Sequence, residues 1–260
     1  MGVRTTGKAL IVTADDFNLS AGVSRGIIEG HQHGIVTETS VLVNLGDLRS
    51  AVEVLGATPR LAVGLHLNLT RGRPLAPPNA IGELIGRDGQ FRGSPQALSP
   101  LLEVTSVRQE FQAQLDSFVQ AFGRLPSHLD THHHVHQHPV VLEALLDLAT
   151  PLKLPVRGVD PPMRQAMYAR GVRTPSQLLG DVGESPYWTV ARLVAAVRDL
   201  QAGLTELMCH PGYFDEAIAY SRYGPQRDIE REALCDPRVA TTVQDMEVQL
   251  VTYAVMQDPL

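Results

Sequence analysis

Only two cysteines occur in 260 residues, too few for a disulfide framework, so Cys209 and Cys235 read as reduced thiols of a cytoplasmic protein. No apolar run approaches the roughly 20 residues of a membrane span, and no collagen-like period occurs. Lysine is nearly missing. Lys8 and Lys153 stand alone among 22 basic residues, the rest being arginine, a skew that reflects genome composition rather than function. With a net charge of −6, a pI near 5.9 and no Lys/Arg-rich run, nothing favours nucleic acid or an anionic membrane as partner. The apolar run after Lys8 stops almost at once at "TADD", which argues against a signal peptide. Gly2 and Thr6 fit a myristoylation pattern formally, but a pattern this short arises easily by chance.

What is present is an alternation of short β-rich runs with amphipathic helical segments, as in βα units around a largely parallel sheet. The length suits one hydrophobic core, so a single domain over 1–260 is expected. Strands are expected at Ala9–Ala14, Ser40–Asn44, Leu61–Leu69, Ser127–Asp130, Pro155–Gly158, Leu204–His210 and Val248–Tyr253. Ser20 is placed to cap the first helix and Gly34 to end it, and a second helix covers Leu48–Leu55. Residues 71–100, rich in Pro and Gly without periodicity, read as a long surface loop of the kind that often serves as a lid. The clearest helix carries Val107, Phe111, Leu115, Phe118, Val119 and Phe122 at helical spacing and is stopped by Gly123 and Pro126. Pro139 opens the next helix, Ser185-Pro186 caps another that includes Trp188, and a last one lies near Arg227–Leu234. About seven strands with interleaved helices give an α/β fold, a distorted (β/α) barrel.

The polar signals fall where the strands end: Asp15-Asp16, Asn44, His66, Asp130-Thr131-His132, Arg157 and His210. In such barrels the C-terminal strand ends converge on one face, so groups far apart in sequence meet in one pocket. Six of the ten histidines lie between His128 and His138. A solvated polar loop would explain that run alone, but Asp16 and His66 at two other strand ends change the weighting. One carboxylate and two imidazoles make a three-ligand set with positions left open for water and substrate. Asp15 and Asp16, otherwise a turn or helix-dipole pair, can divide the work between binding metal and abstracting a proton. His210 either ends its strand or donates a proton to a leaving amine, for which a pKa near 6.5 is suited. Cys209 alternates to the opposite face and reads as core. If the chain after Asp130 stays extended, His133 points away from the pocket, and His134 and His136 reach its rim.

The motifs "IVTADDFNLS", "TSVLVN", "GLHLNLT.GRPL", "FGRLPSHLDTHHHVH" and "HPGYFD" together resemble the YdjC-like carbohydrate deacetylases, relatives of chitooligosaccharide deacetylase. The resemblance runs in order from residue 10 to about 215. It implies a distorted (β/α) barrel and hydrolysis of the N-acetyl group of an acetylated amino sugar. It also implies one divalent metal ion, magnesium first, with zinc or another transition metal as alternatives. Carried over by position, Asp16, His66 and His132 are the metal ligands, Asp15 the general base and His210 the acid. Asn44, Asp130, His134 and Arg157 are candidates for substrate binding. Asn18 stands where many relatives have glycine, and asparagine also tolerates the left-handed backbone that such a turn requires. A metal-dependent phosphoesterase on a similar barrel and a non-catalytic carbohydrate-binding relative are the competing readings. The expected partner is a small acetylated sugar, with a homo-oligomer also open.

Overall fold

A computed structural model describes residues 7–99, 101–183 and 185–257. Gly2 and Thr6 lie outside these residues. The order is β1 (Lys8–Phe17), α1 (Ala21–His33), β2 (Glu38–Val41), α2 (Leu48–Gly56), β3 (Ala62–Leu67), α3 (Val104–Phe122), β4 (Leu129–Thr131), α4 (Pro139–Leu152), α5 (Pro161–Ala169), β5 (Gln177–Leu179), α6 (Val190–Asp199), β6 (Gly203–Cys209), α7 (Gln226–Leu234), α8 (Pro237–Asp245) and β7 (Gln249–Val251). All pairings between these strands are parallel, in the order β4-β3-β2-β1-β6-β5, and the sheet curls into a half-barrel. A strand has two edges. β6 occupies one edge of β1 from Lys8 to Ala14, so β7 (at Ala9–Ile11) and β2 (from Thr13 onward) share the other.

Between β4 and β5 the ring is carried by single hydrogen bonds. Leu129 N–H donates to Pro155 O, Arg157 N–H to Leu129 O, and Val156 N–H to Arg173 O. The strand expected at Pro155–Gly158 is therefore reduced to one bridge, Leu129 to Val156, because Pro155 has no N–H to extend a ladder. Its place as a full strand is taken by β5, which is too short to show a pattern in sequence. Two helices were also missed, α5 and α8. Each opens on Asp-Pro: Asp160 accepts from Met163 N–H (2.8 Å) and Asp236 from Arg238 N–H (2.9 Å), with proline at the first helical position. That is a legible start signal. The helix after Trp188 starts later than expected, at a Thr189 cap, and Trp188 itself is buried with Nε1–H donating to Met208 O. Ser20 caps α1 as expected, and its Oγ accepts from Val23 N–H.

Alternation along the strands separates two interiors. Leu10, Val12 and Ala14 of β1, with Val63, Leu65 and Leu67 of β3, face outward into the core under the helices, where Phe111, Leu115 and Phe118 of α3 pack. The other face of β1 begins with Ala9 and Ile11, which close the barrel floor with Leu204, Tyr253 and Met256. Above that apolar floor the interior turns polar. Thr13, Glu38, His128, Asp130, Arg157 and Glu206 are all buried there. Residues 71–99, read as a loop, do carry three short 3₁₀ turns and hold themselves down with buried Ile81, Leu84 and Phe91. The Glu110 carboxylate accepts from the N–H groups of Leu75 and Ala76 at the loop's start.

Gly64 lies on the inner face of β3, where a Cβ would come within 2.2–2.8 Å of the His128 ring. Gly64→Ala should therefore destabilise the protein by about 1–3 kcal/mol, the usual range for overpacking. Urea unfolding checks this, and an unchanged midpoint would show that His128 can move aside.

Candidate metal and acid–base site

The two carboxylates of β1 reach one cleft because the strand is irregular where they sit. Ala14 pairs with Thr39 but Phe17 with Val41, so β1 carries one residue more than β2 over this stretch. The bulge is accompanied by a left-handed backbone at Asp16 (φ 73°) and at Asn18 (φ 74°). In a regular strand adjacent side chains diverge; here both Asp15 and Asp16 line the same cavity of about 260 Å³. Asn18 holds the turn by donating its side-chain amide to Leu42 O (3.0 Å) and to Leu45 O.

A second irregularity shapes the histidine run. The chain after Asp130 does not stay extended: His133 (φ 57°) and His134 (φ 50°) are both left-handed, within a 3₁₀ segment from His132 to Gln137. The tight coil lets His132, His133 and His134 all line the cleft. His133 stacks on the His132 ring and lies 3.0 Å from Thr70 Oγ1, so it sits beside the site instead of pointing away. His136 is fully buried against Thr131 and is not at the rim.

Asp16 Oδ1, His66 Nε2 and His132 Nδ1 converge. Asp16 Oδ1 is 2.9 Å from His132 Nδ1 and 3.4 Å from His66 Nε2, and the two nitrogens are 3.3 Å apart. Asp16 Oδ1 is nonetheless a buried oxygen with no hydrogen bond of acceptable geometry. A buried carboxylate oxygen left without a hydrogen bond beside two imidazole nitrogens fits a metal tripod, and these residues form such a group. His66 Nδ1–H donates to Asp130 Oδ1 (2.8 Å), which orients the ring and leaves Nε2 for an ion. The overlapping group of Asp15, His66 and Asp130 is less suited, because both oxygens of its Asp15 carboxylate are taken by an arginine, whereas Asp16 Oδ1 is free.

That arginine is Arg157. It is fully buried inside the barrel, where Nη1 and Nη2 grip Asp15 as a fork (2.6 and 2.8 Å). Nη2 also lies 3.0 Å from Asp130 Oδ2, and Nε and Nη2 donate to Glu206 Oε1. Glu206 in turn accepts from Thr13 Oγ1 and from Tyr253 OH (2.7 Å). Three of the four substrate-binding candidates, Asn44, Asp130 and Arg157, do not line the cleft. Arg157 and Asp130 have no exposed surface and hold Asp15 and His66 in place. Asn44 lies beyond the end of β2 and donates to the carbonyls of Arg71 and Arg73, anchoring the following loop. His134 does line the cleft.

His210 follows β6 on the face opposite Cys209, as alternation requires, and its Nε2 is 4.0 Å from Asp15 Oδ2. Burial pushes its pKa down to about 4 against the opposing pull of Asp15 and Asp16, so the ring is neutral at pH 7 and the expected value near 6.5 does not apply. Helix α7 braces this edge. Glu230 accepts from the backbone N–H of His210 (2.6 Å) and of Trp188, and from Tyr223 OH. One turn earlier Arg227 Nη2 donates to Asp16 Oδ2 (2.5 Å). Burial by itself would raise the Asp16 carboxyl, but His132 and Arg227 hold it well below the ordinary value. Sequence reading missed His128, Glu206, Arg227 and Glu230. The first two were within reach, since they lie two and four residues before Asp130 and His210 and so share their strand faces. A larger hollow of about 980 Å³ opens beneath α2 and α4, lined by Leu55, Phe122 and Leu154 among others, without a carboxylate or imidazole.

The parallel half-barrel thus gathers at its C-terminal strand ends an Asp-His-His group able to hold a divalent ion, with a clamped carboxylate and an imidazole beside it. The chain belongs to the YdjC-like protein family, which matches residues 9–245. It is 31% identical over 252 residues to the carbohydrate deacetylase of Thermoanaerobacter pseudethanolicus, covering 96% of this chain and all of that one. It is 33% identical to the chitooligosaccharide deacetylase of Yersinia enterocolitica, over 95% and 98% of the two chains. A crystal structure from Enterococcus faecalis, named as a proposed cellobiose-phosphate cleavage protein, superposes with a TM-score of 0.88 at 28% identity, over 97% and 100% of the chains. Among the described residues no helix is long and apolar enough to cross a membrane.

Burial works to lower the His66 pKa, but Asp130 and Asp16 outweigh it and raise the value to about 10. Below that pH the metal-free ring is protonated, and an ion that takes Nε2 must displace a proton. At pH 8, calorimetric metal titration should show proton release through heats that change with the buffer's ionisation enthalpy. Asp130→Asn should reduce this release and weaken metal binding by about 10–100-fold. Equal heats in all buffers would remove His66 from the ligand set.

Proposed function

We propose that the protein is a metal-dependent hydrolase that removes the N-acetyl group from an acetylated amino sugar. The observation that carries the reading is the Asp15 carboxylate, fixed by Arg157 beside the Asp16–His66–His132 tripod, in a chain related over nearly its whole length to named deacetylases. Two imidazoles and a carboxylate favour a borderline transition ion such as zinc over magnesium, which prefers an all-oxygen shell. Such an ion, when bound, supplies Lewis-acid polarisation of the acetyl carbonyl.

The remaining work belongs to the chain's own residues. Asp15 takes the proton of the attacking water, and Arg157 holds its carboxylate at both oxygens so that it neither rotates away nor closes onto the ion. Departure of the amine needs a proton, because an amide anion is a poor leaving group. His210 is neutral at rest, so it delivers a proton only after receiving one, and Asp15 Oδ2 at 4.0 Å is a source. Glu230 keeps His210 at that distance by holding its backbone. His134, on the cleft wall, is left as a contact for the sugar.

Metal-reconstituted protein incubated with a panel of N-acetylated sugars should release acetate. Asp15→Asn should retain metal and lose about 10²–10⁴-fold in turnover, the usual contribution of a general base. His210→Ala should lose as much on the amide, but less on an activated ester whose leaving group departs without protonation. No acetate from any sugar, with the metal site filled, would reject the function.

A further inference from the structure

The Arg227 guanidinium is buried, with 4% of its side chain exposed, and lines the cleft beside Asp16. Two of its three nitrogens are engaged: Nε–H donates to Tyr223 O (3.0 Å) and Nη2–H to Asp16 Oδ2 (2.5 Å). Nη1 has no hydrogen-bond partner. A guanidinium is planar, so two bonds at two different nitrogens fix the plane and with it the direction of the free N–H groups. The stem is fixed too. Gly212, two residues after His210, packs against Arg227, and a Cβ there would lie 3.3 Å from both Cβ and Cδ of the arginine. A buried cationic donor held rigid and left unsatisfied is unfavourable unless a ligand completes it.

The location says which ligand. Asp16 places Oδ1 in the tripod and gives Oδ2 to Arg227, so the guanidinium is joined to the tripod through one carboxylate and lies along the wall of the same cleft. We infer that Arg227 is a further catalytic residue: Nη2 keeps Asp16 a one-oxygen ligand, and Nη1 donates to the acetyl oxygen as it gains negative charge. The inference rests on the deacetylase reading. A preorganised donor in a buried site acts on charge that develops in the transition state more than on the ground-state amide, and removal of one such donor typically costs about 10²–10³-fold in turnover.

The test uses full-length, metal-reconstituted protein and a sugar that the wild type deacetylates. Arg227→Lys retains a positive charge for Asp16 but lacks the fork. It should keep metal affinity and KM within about threefold and lower kcat by about 10²–10³-fold. Affinity for a methylphosphonamide analogue of the same sugar, whose tetrahedral oxygens mimic the oxyanion, should fall by a similar factor. Arg227→Ala should also lose metal affinity, and added guanidinium, but not ammonium, should restore turnover. If Arg227→Lys turns over at the wild-type rate, or loses metal in proportion to activity, Arg227 only positions Asp16 and the assignment fails while the deacetylase reading stands. If Arg227→Lys does not fold, absence of guanidinium rescue in Arg227→Ala overturns it instead. A wild type that releases no acetate and does not bind the analogue overturns both.

Discussion

The Arg157 guanidinium sits at the centre of the barrel with three carboxylates, Asp15, Asp130 and Glu206, around it. Buried charges of this kind persist only when each is paired, and loss of one partner from a buried pair typically costs about 3–5 kcal/mol. Here the pairing has further consequences. Through Asp15 it presents a proton acceptor to the cleft, and through Asp130 it sets the ring of His66. Through Glu206 it reaches Tyr253 and so ties the site to the segment that plugs the barrel floor. His128 belongs to the same layer. It is held between Glu38 and Asp130, which outweigh burial and raise its pKa to about 9. The interior of this half-barrel is thus a polar scaffold, where many βα barrels pack branched aliphatic side chains.

The cleft above that scaffold is built from breaks in regular backbone. A regular β1 would send Asp15 and Asp16 to opposite faces, and an extended chain after Asp130 would separate His132 from His133. The bulge at Asp15–Asp16 and the left-handed residues Asp16, His133 and His134 bring these groups to one side. Non-glycine residues in this region of backbone space are uncommon and held by their surroundings. At Asp16 those surroundings are visible: Arg227 binds one carboxylate oxygen, and Leu19 N–H donates to its carbonyl.

Helix α7 gives the site its far wall and connects its two chemical ends. Arg227 and Glu230, three residues apart and hence on one helical face, hold the Asp16 carboxylate and the His210 backbone respectively. A shift of α7 would move the Asp16 carboxylate and the His210 backbone together. Tyr223, bonded to Glu230 and edge-on to the His210 ring, extends this support into the loop before the helix.

The order of βα units, the outward core of Leu, Val and Phe, and the strand-end placement of Asp15, Asp16, His66, His132 and His210 were legible in the sequence. Periodicity and alternation are local properties, and the parallel topology follows from them. Where alternation held, as between Cys209 and His210, it also told which side chain faces the cleft. Strand-end position did not settle Arg157 or Asn44. The strand expected around Arg157 is a single bridge and Asn44 lies beyond the end of β2, and a charged or amide side chain gives no local sign of whether it turns toward ligand or toward buried partners. Arg157 was decided by three carboxylates contributed from three other segments of the chain. Arg227 was decided by an aspartate 211 residues away. These pairings have no period and no spacing rule. They exist because closure of the sheet excludes water from ionic groups, and each must then find the oppositely charged neighbour that only the tertiary fold supplies.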